Sequence, residues 1–407
     1  MKLVERHIIK KAHQFYQQID ELCWRSKNLY NYANYLVRQS FIFEGRYLDN
    51  TKIYHQVKQH ESYKALPSKV SNQVLIVLHR NWKSFLHATE AYYQDPSKFL
   101  GRPKLPKYKD KTQGRNILIY ELGTISKPAL RTGIIKLSQT NIQFPTSASN
   151  IKQVRIVPRC GQYVIEVVYE MEAKPQQLDP NSVAGIDIGL DNLAALAANK
   201  PGFKPVLING KPLKSINRHY NKVKAKLQSQ LEGNAHTSHR INTLTCKRNN
   251  QIANYLHHAS RWIINYLVKA GIGTLVIGKN EQWKQEINLG KTTNQNFVSI
   301  PHARFIEQLK YKAELVGITV FIHEESYTSA ASFLDLDPIP VYKKGETYNF
   351  SGKRIQRAWY KSQDGGLIHA DVNASLNIAR KVVPAAFSLG IEGIAVCPFR
   401  VTPGKVA

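Results

Sequence analysis

VAGIDIGLDNL, residues 183–193, decides how this chain is read. The run is apolar and strand-like, and it carries one carboxylate, Asp187, between Ile186 and Ile188, with Gly185 and Gly189 just beyond. A second segment, IHADVNASLNIAR at 368–380, sets Asp371 at the start of a helix-like run. A carboxylate without a partner is costly to bury. A metal ion or an open cleft removes that cost. Asp371 alone would serve as a helix N-cap. Beside Asp187, in a basic chain, it points instead to magnesium-dependent chemistry on phosphodiesters.

The rest of the composition agrees. The 407 residues include 57 Lys and Arg against 29 Asp and Glu, a formal charge of +28. Such a charge says nothing about fold, but it predicts a polyanionic partner, with nucleic acid first. No apolar run approaches the roughly 20 residues of a membrane span. MKLVERHIIKKAHQF, residues 1–15, lacks the continuous apolar stretch of a signal peptide. Cys23, Cys160, Cys246 and Cys397 are far apart in sequence and form no CxxC pair. The composition therefore implies neither a disulfide framework nor a thiolate zinc site. A cytoplasmic, nucleoid-associated protein is expected. No histidine is assigned to a metal: His257 and His258 are adjacent on a predicted helix and face different ways, and His236 and His239 sit near a helix start.

Outward from the two acidic segments, the period of the apolar residues divides the chain. Residues 13–43 read as a helix with Ile19, Leu22, Leu29, Ala33, Leu36 and Phe43 on one stripe and Trp24, Arg25, Lys27, Tyr30 and Arg38 outside it. A second helix starts near Ser68, with Val70, Val74, Val77, Leu78 and Phe85 inward. DPSKFLGRPKLPKYKDKTQGR at 95–115 is an extended basic connector, and Arg102, Lys104, Lys107, Lys109, Lys111 and Arg115 are candidate phosphate contacts. Between 116 and 170 the period becomes two, giving short strands and a hairpin that turns at Gly161. After 182 come three strands in a meander, long helices at about 213–231 and 238–270, strand 274–277, helix 302–316, strand 318–323 and the Asp371 helix. That is the element order of an RNase H-like fold.

At this point the chain resembles the TnpB family, transposon-encoded RNA-guided nucleases related to type V CRISPR effectors. The resemblance rests on GIDIGLDNLA at 185–194, YTS at 327–329, DVNASLNI at 371–378 and the basic GRPKLPKYKDK at 101–111. It implies a multidomain α/β and α+β protein: a β-barrel-like wedge domain (1–12 and 95–178), an inserted helical recognition domain (13–94), and an RNase H-like RuvC nuclease domain (179–327 and 368–383). An insert that loads the target strand (328–367) and a C-terminal tail (384–407) complete it. The implied activity is cleavage of double-stranded DNA, with a transposon-derived guide RNA supplying specificity and the protein reading a short adjacent motif. One RuvC site holding two Mg²⁺ would cut both strands, with one protein per RNA.

Two departures from the family pattern matter. The family places a glutamate at the end of the strand after the long helices. Here that strand reads TLVIGKN, with Gly278 at the expected position and Glu281 past the strand. The next strand ends in FIHEESYTS, offering Glu324 and Glu325. A strand there would neighbour the first strand and bring one glutamate to Asp187 and Asp371, and alternation allows only one to face them. Glu325, three residues before Thr328, is preferred because relatives with a relocated glutamate are similar at that offset. Asp187, Glu325 and Asp371 are then the Mg²⁺ ligands, with Glu324 the alternative. The second departure is the insert, which lacks the family's two CxxC pairs. A zinc-free insert is expected, packed on Phe333, Leu334, Ile339, Tyr342, Tyr348, Phe350, Trp359 and Tyr360. Its Lys343, Lys344, Lys353, Arg354 and Arg357 are available to a strand backbone. Two other readings are a guide-RNA-dependent DNA-binding regulator without cleavage, favoured only by Gly278, and a DDE-type transposase.

Overall fold

The structure, a computed structural model, describes residues 1–280, 298–343, 345–388, 390, 392, 394 and 396–404; Glu281 and Lys344 lie outside the described residues. The chain forms two compact units, Met1–Met171 and Glu172–Ala407.

The first unit contains β1 (Lys2–Ile9), α1 (Tyr16–Phe43), α2 (Asn50–Val57), α3 (Glu61–Lys64), α4 (Ser68–Gln94), β2 (Leu118–Glu121) and α5 (Lys127–Arg131), then β3 (Ile134–Lys136), β4 (Gln143–Pro145), β5 (Ile151–Arg159) and β6 (Gln162–Glu170). Its main sheet runs β1-β6-β5-β2. Strands β5 and β6 pair out to Arg159 and Gln162, leaving a two-residue turn of Cys160 and Gly161. Both have positive φ, 50° and 76°. That is the primed geometry whose twist matches the flanking strands, and Gly161 adopts it at no steric cost.

Helices and strands here share one core. Ile19, Leu29 and Trp82 from the helices join Leu118, Ile156 and Ile165 from the sheet. Residues of both 13–94 and 95–178 belong to this cluster. Most of the α1 stripe is buried as its spacing predicts, but Phe43, the last residue of the helix, is 77% exposed. Lys27 and Tyr30, expected outside the stripe, are buried. The connector accounts for Lys27, whose Nζ donates to the Lys111 carbonyl at 2.7 Å. Tyr30 is met by α4, and its hydroxyl accepts from Asn81 Nδ2 at 3.1 Å.

In the second unit, β7 (Asp179–Asp187), β8 (Asn192–Ala198) and β9 (Val206–Asn209) form an antiparallel meander. Helices α6 (Lys211–Gln228) and α7 (His239–Lys269) follow, then β10 (Ile272–Gly278), α8 (His302–Glu314) and β11 (Thr319–His323). The insert strands β12 (Lys353–Arg354), β13 (Trp359–Lys361) and β14 (Leu367–His369) lead into α9 (Ala370–Val382), and β15 (Phe399–Val401) ends the fold. The large sheet runs β11-β10-β7-β8-β9-β15. This corrects one expectation: β11 does not neighbour the first strand. It lies at the sheet edge, parallel to β10, which itself pairs with β7.

Period-two alternation assigns the two faces of this sheet. Ala184, Ile186, Leu275 and Ile277 point into a core shared with Leu256, Ile263, Phe305 and Leu309 of α7 and α8. Val183, Ala197 and Val276 point to the other face, where α9 adds Leu376, Ile378 and Ala379. Gly185 lets α9 come close: a Cβ there would overlap the Ser375 carbonyl. Ser375 uses the proximity, donating to the Gly185 carbonyl at 2.6 Å and accepting from the Ala197 N–H at 3.1 Å.

The insert is held differently from the expectation. Phe333 and Tyr360 are buried, but Tyr342 is 61% exposed and Trp359 40%. Polar bonds secure much of it. The buried Asp337 carboxylate accepts from the Ser351 hydroxyl at 2.6 Å and the Ser332 N–H at 2.8 Å. Helix α9 presents its amides to the same loop: Asn373 Nδ2 donates to the Ala331 carbonyl at 2.8 Å and Asn377 Nδ2 to the Thr328 carbonyl at 3.0 Å. The motif DVNASLNI is thus divided by helical period. Asp371 opens the helix, Ser375 fastens it to the sheet, and Asn373 and Asn377 fasten the insert.

Candidate active site

Asp187 ends β7 on the face that α9 covers, at period two from Val183 and Gly185. Asp371 begins α9, and its N–H donates to Nδ1 of the capping His369 at 3.2 Å. The third carboxylate arrives from the loop after β11. A Cβ on Gly278 would overlap Glu325 Oε2, stand 2.7 Å from Ile378 Cδ1 and lie 3.1 Å from Glu325 Cβ. The Glu325 side chain therefore fills the space that a side chain at 278 would take. Ile277 pairs with Ile186, so Gly278 lies one step beyond that pair, level with Asp187. The loop that follows the edge strand reaches towards the first strand in this way, across the glycine that ends the intervening strand.

The electrostatics follow from this crowding. Burial, then the Glu325 and Asp371 carboxylates, push the Asp187 carboxyl well above the usual carboxylate range, with Arg354 opposing. Burial and then Glu324 push Glu325 up to about 7, with Lys381 opposing. Glu325 Oε2 is buried and has no hydrogen-bond partner. Asn192 Nδ2 donates to Asp371 Oδ2 at 2.7 Å, while Asn192 Oδ1 is buried without a partner. Asp187 and Asp371 open onto a cleft of about 640 Å³, where Arg354 Nη2 lies 3.7 Å from Asp371 Oδ1. Asp191, at its rim, accepts from Lys214 Nζ at 2.6 Å and pairs with Arg357.

Mutually repelling carboxylates, all of them oxygen donors, with an orphaned buried oxygen among them, suit a hard divalent cation. As the side chains stand, no three His, Cys, Asp or Glu residues among the described residues form a closed ligand group. The Arg354 guanidinium brings a positive charge to 3.7 Å from Asp371 Oδ1, and Lys211, Lys214, Arg357 and Arg400 also line the cleft.

Glu324, the alternative ligand, points elsewhere. Its Oε2 accepts from Lys381 Nζ at 2.5 Å and its Oε1 from the Ser326 N–H at 2.8 Å. Burial raises its proton affinity, but these bonds outweigh burial and hold the carboxyl below its usual range. Asn192 and Lys381 do not stand out in the sequence as site residues. Asn192 lies inside the GIDIGLDNLA run and could have been found there. Lys381 carries no local signal, because its partner is 57 residues away in sequence.

The basic connector lies along α1 in the first unit. Asn34 Nδ2 and Arg38 Nη1 both donate to the Pro106 carbonyl at 3.1 Å, and Asn31 exchanges two bonds with the Lys109 backbone at 2.9 and 2.8 Å. With its backbone held, the connector leaves Arg102, Lys104, Lys107, Lys109 and Lys111 exposed. Arg115 differs from that group. Its Nε and Nη2 grip the Asp20 carboxylate at 3.0 and 2.7 Å, so it braces the fold rather than offering a free cation.

Two family models match parts of the second unit and its approach. The OrfB_IS605 family model, described as a probable transposase, matches residues 166–284, and the Cas12f1-like TNB domain matches residues 302–378. The chain is a TnpB-like relative of the type V effectors. It is 27% identical over 249 residues to a CRISPR-associated endodeoxyribonuclease Cas12f1 of Sulfoacidibacillus thermotolerans, covering 58% of this chain and 54% of that protein. It is 25% identical over 179 residues to the Cas12f1 of Syntrophomonas palmitatica, covering 42% of this chain and 35% of that protein. This TnpB-like chain thus spans about half the length, or less, of the curated relatives it matches. Its fold is similar to a Cas12f1 solved by cryo-electron microscopy with single-guide RNA and target DNA: TM-score 0.52 at 14% identity, covering 89% of this chain and 83% of that one.

Proposed function

We propose that this TnpB-like chain is an RNA-guided DNA endonuclease with one RuvC-type, RNase H-like site that cuts double-stranded DNA with Mg²⁺. The observation that carries the proposal is the Glu325 carboxylate in the space left by Gly278, level with Asp187. Gly278 was the one feature that favoured a cleavage-deficient regulator, and a third carboxylate at that position removes the support. Asp187, Glu325 and Asp371 are the residues to hold two Mg²⁺. Bound there, the ions supply an activated water and stabilise the leaving oxygen. Asn192 orients Asp371 by its hydrogen bond. Arg354 and Arg357 are placed to meet phosphate oxygens when a strand enters the cleft. The guide RNA, by pairing, supplies sequence specificity, and the protein reads a short motif beside the target. The exposed connector cations hold nucleic-acid backbone.

The test is cleavage of a matching duplex by the protein carrying its co-purified RNA. Wild type should cut both strands with Mg²⁺, and Asp187→Asn, Asp371→Asn and Glu325→Gln should bind without cutting. Binding without cleavage by wild type would return the regulator reading. Strand transfer without guide RNA would establish the transposase reading.

A further inference from the structure

Glu324 and Lys381 form a part-buried ion pair, with the Glu324 side chain 32% exposed, that the proposed chemistry does not itself use. The Lys381 side chain is 5% exposed and sits at the end of α9. Its ammonium donates to Glu324 Oε2 at 2.5 Å, to the Ser326 carbonyl at 3.1 Å and to the Pro340 carbonyl at 3.2 Å. One cation thus ties α9 to the residues on both sides of Glu325 and to the insert. Glu325 itself is fixed at both backbone ends. Its N–H donates to Asn280 Oδ1 at 3.0 Å, and its carbonyl accepts from the Thr328 hydroxyl at 2.8 Å.

We infer that Lys381 and Glu324 are positioning residues: the ion pair locks residues 324–326 against the catalytic helix, so that Glu325 is aimed through the Gly278 gap at Asp187. The inference rests on Glu325 being a metal ligand. A glutamate supplied by a strand end has its direction set by strand alternation. A glutamate supplied by a loop needs its flanks held from outside. Lys381 provides that hold, and it comes from the same helix that provides Asp371. Two carboxylates on separate elements are then registered to one another through α9. Residues that orient a metal ligand typically contribute roughly ten- to hundred-fold to affinity or activity. A simple surface ion pair contributes little, and the burial of Lys381 separates this pair from that class.

The test is Mn²⁺ binding to the protein–RNA complex, followed by electron paramagnetic resonance of the free ion. Wild type is compared with Glu325→Gln, Lys381→Met, Glu324→Gln and the charge exchange Glu324→Lys with Lys381→Glu, with thermal melting of each. The expected result is a loss of site affinity for Glu325→Gln. Lys381→Met and Glu324→Gln should each weaken it roughly ten- to hundred-fold, and the exchange should recover a substantial part. If Glu325→Gln binds Mn²⁺ as wild type does, the ligand assignment itself fails. If Glu325→Gln loses binding while folded Lys381→Met and Glu324→Gln keep wild-type affinity, the positioning inference alone is overturned. Lowered melting with unchanged Mn²⁺ affinity would likewise reduce the pair to a structural one.

Discussion

At the scale of single residues, a glycine and a glutamate occupy one place. Gly278 in the sequence reads as a lost acid. In the fold, its missing Cβ admits Glu325 from the loop that follows the neighbouring edge strand. Both Glu324 and Glu325 were visible in the sequence as candidates, but the sequence could not show which strand lay between them and Asp187. That depended on β11 pairing with β10. The crowding of carboxylates has a consequence for stability. Glu325 holds its proton up to about 7 in the fold, against 4.5 in a free side chain. Between those values the folded chain binds more protons than the unfolded one. The stabilisation is therefore complete below about 4.5 and is lost as pH rises through about 7, and Asp187 acts in the same direction. In metal-free protein, the melting temperature of wild type should fall more steeply across this window than that of Glu325→Gln, as calorimetry would measure. Parallel slopes would show that Glu325 is solvated.

At the scale of elements, α9 is where the fold and the site meet. Its sequence period was legible, and so was Asp371 at its first turn. The division of labour among Asn373, Ser375 and Asn377 was not, because each bonds to a backbone carbonyl supplied from far away in the chain. The close approach of the helix can be tested at Gly185. Gly185→Ala places a methyl on the Ser375 carbonyl, and overpacking of this kind costs about 1–3 kcal/mol or more. Denaturant unfolding should show that loss, and an unchanged midpoint would mean that α9 sits further from β7. The insert teaches a related lesson. Its aromatic residues suggested an apolar core, which Phe333 and Tyr360 supply, but the buried Asp337 and its serine partners also hold the loop. Asp and Ser in a polar stretch give no pattern that distinguishes a buried network from a solvated loop.

At the scale of the whole molecule, the charge of +28 announced a polyanionic partner. Which cations are free to meet it needed the structure. Lys104, Lys107, Lys109 and Lys111 are exposed on a connector whose backbone is pinned to α1, while Arg115 is committed to Asp20. Replacing the four lysines with glutamine should weaken RNA binding and flatten its salt dependence by about 0.7–0.9 in log–log slope for each phosphate left without its cation. Arg115→Gln should instead lower the melting temperature and leave the slope unchanged. Filter binding across a range of salt concentrations, with melting curves, separates the two.

Single-turnover cleavage of a matched duplex by Glu325→Ala measures the proposed role of this glutamate most directly. The expected result is a loss of roughly three orders of magnitude in rate, about 4 kcal/mol of transition-state stabilisation, with partial recovery when Gly278→Glu is added to fill the same space from β10. Cleavage by Glu325→Ala at the wild-type rate would contradict it.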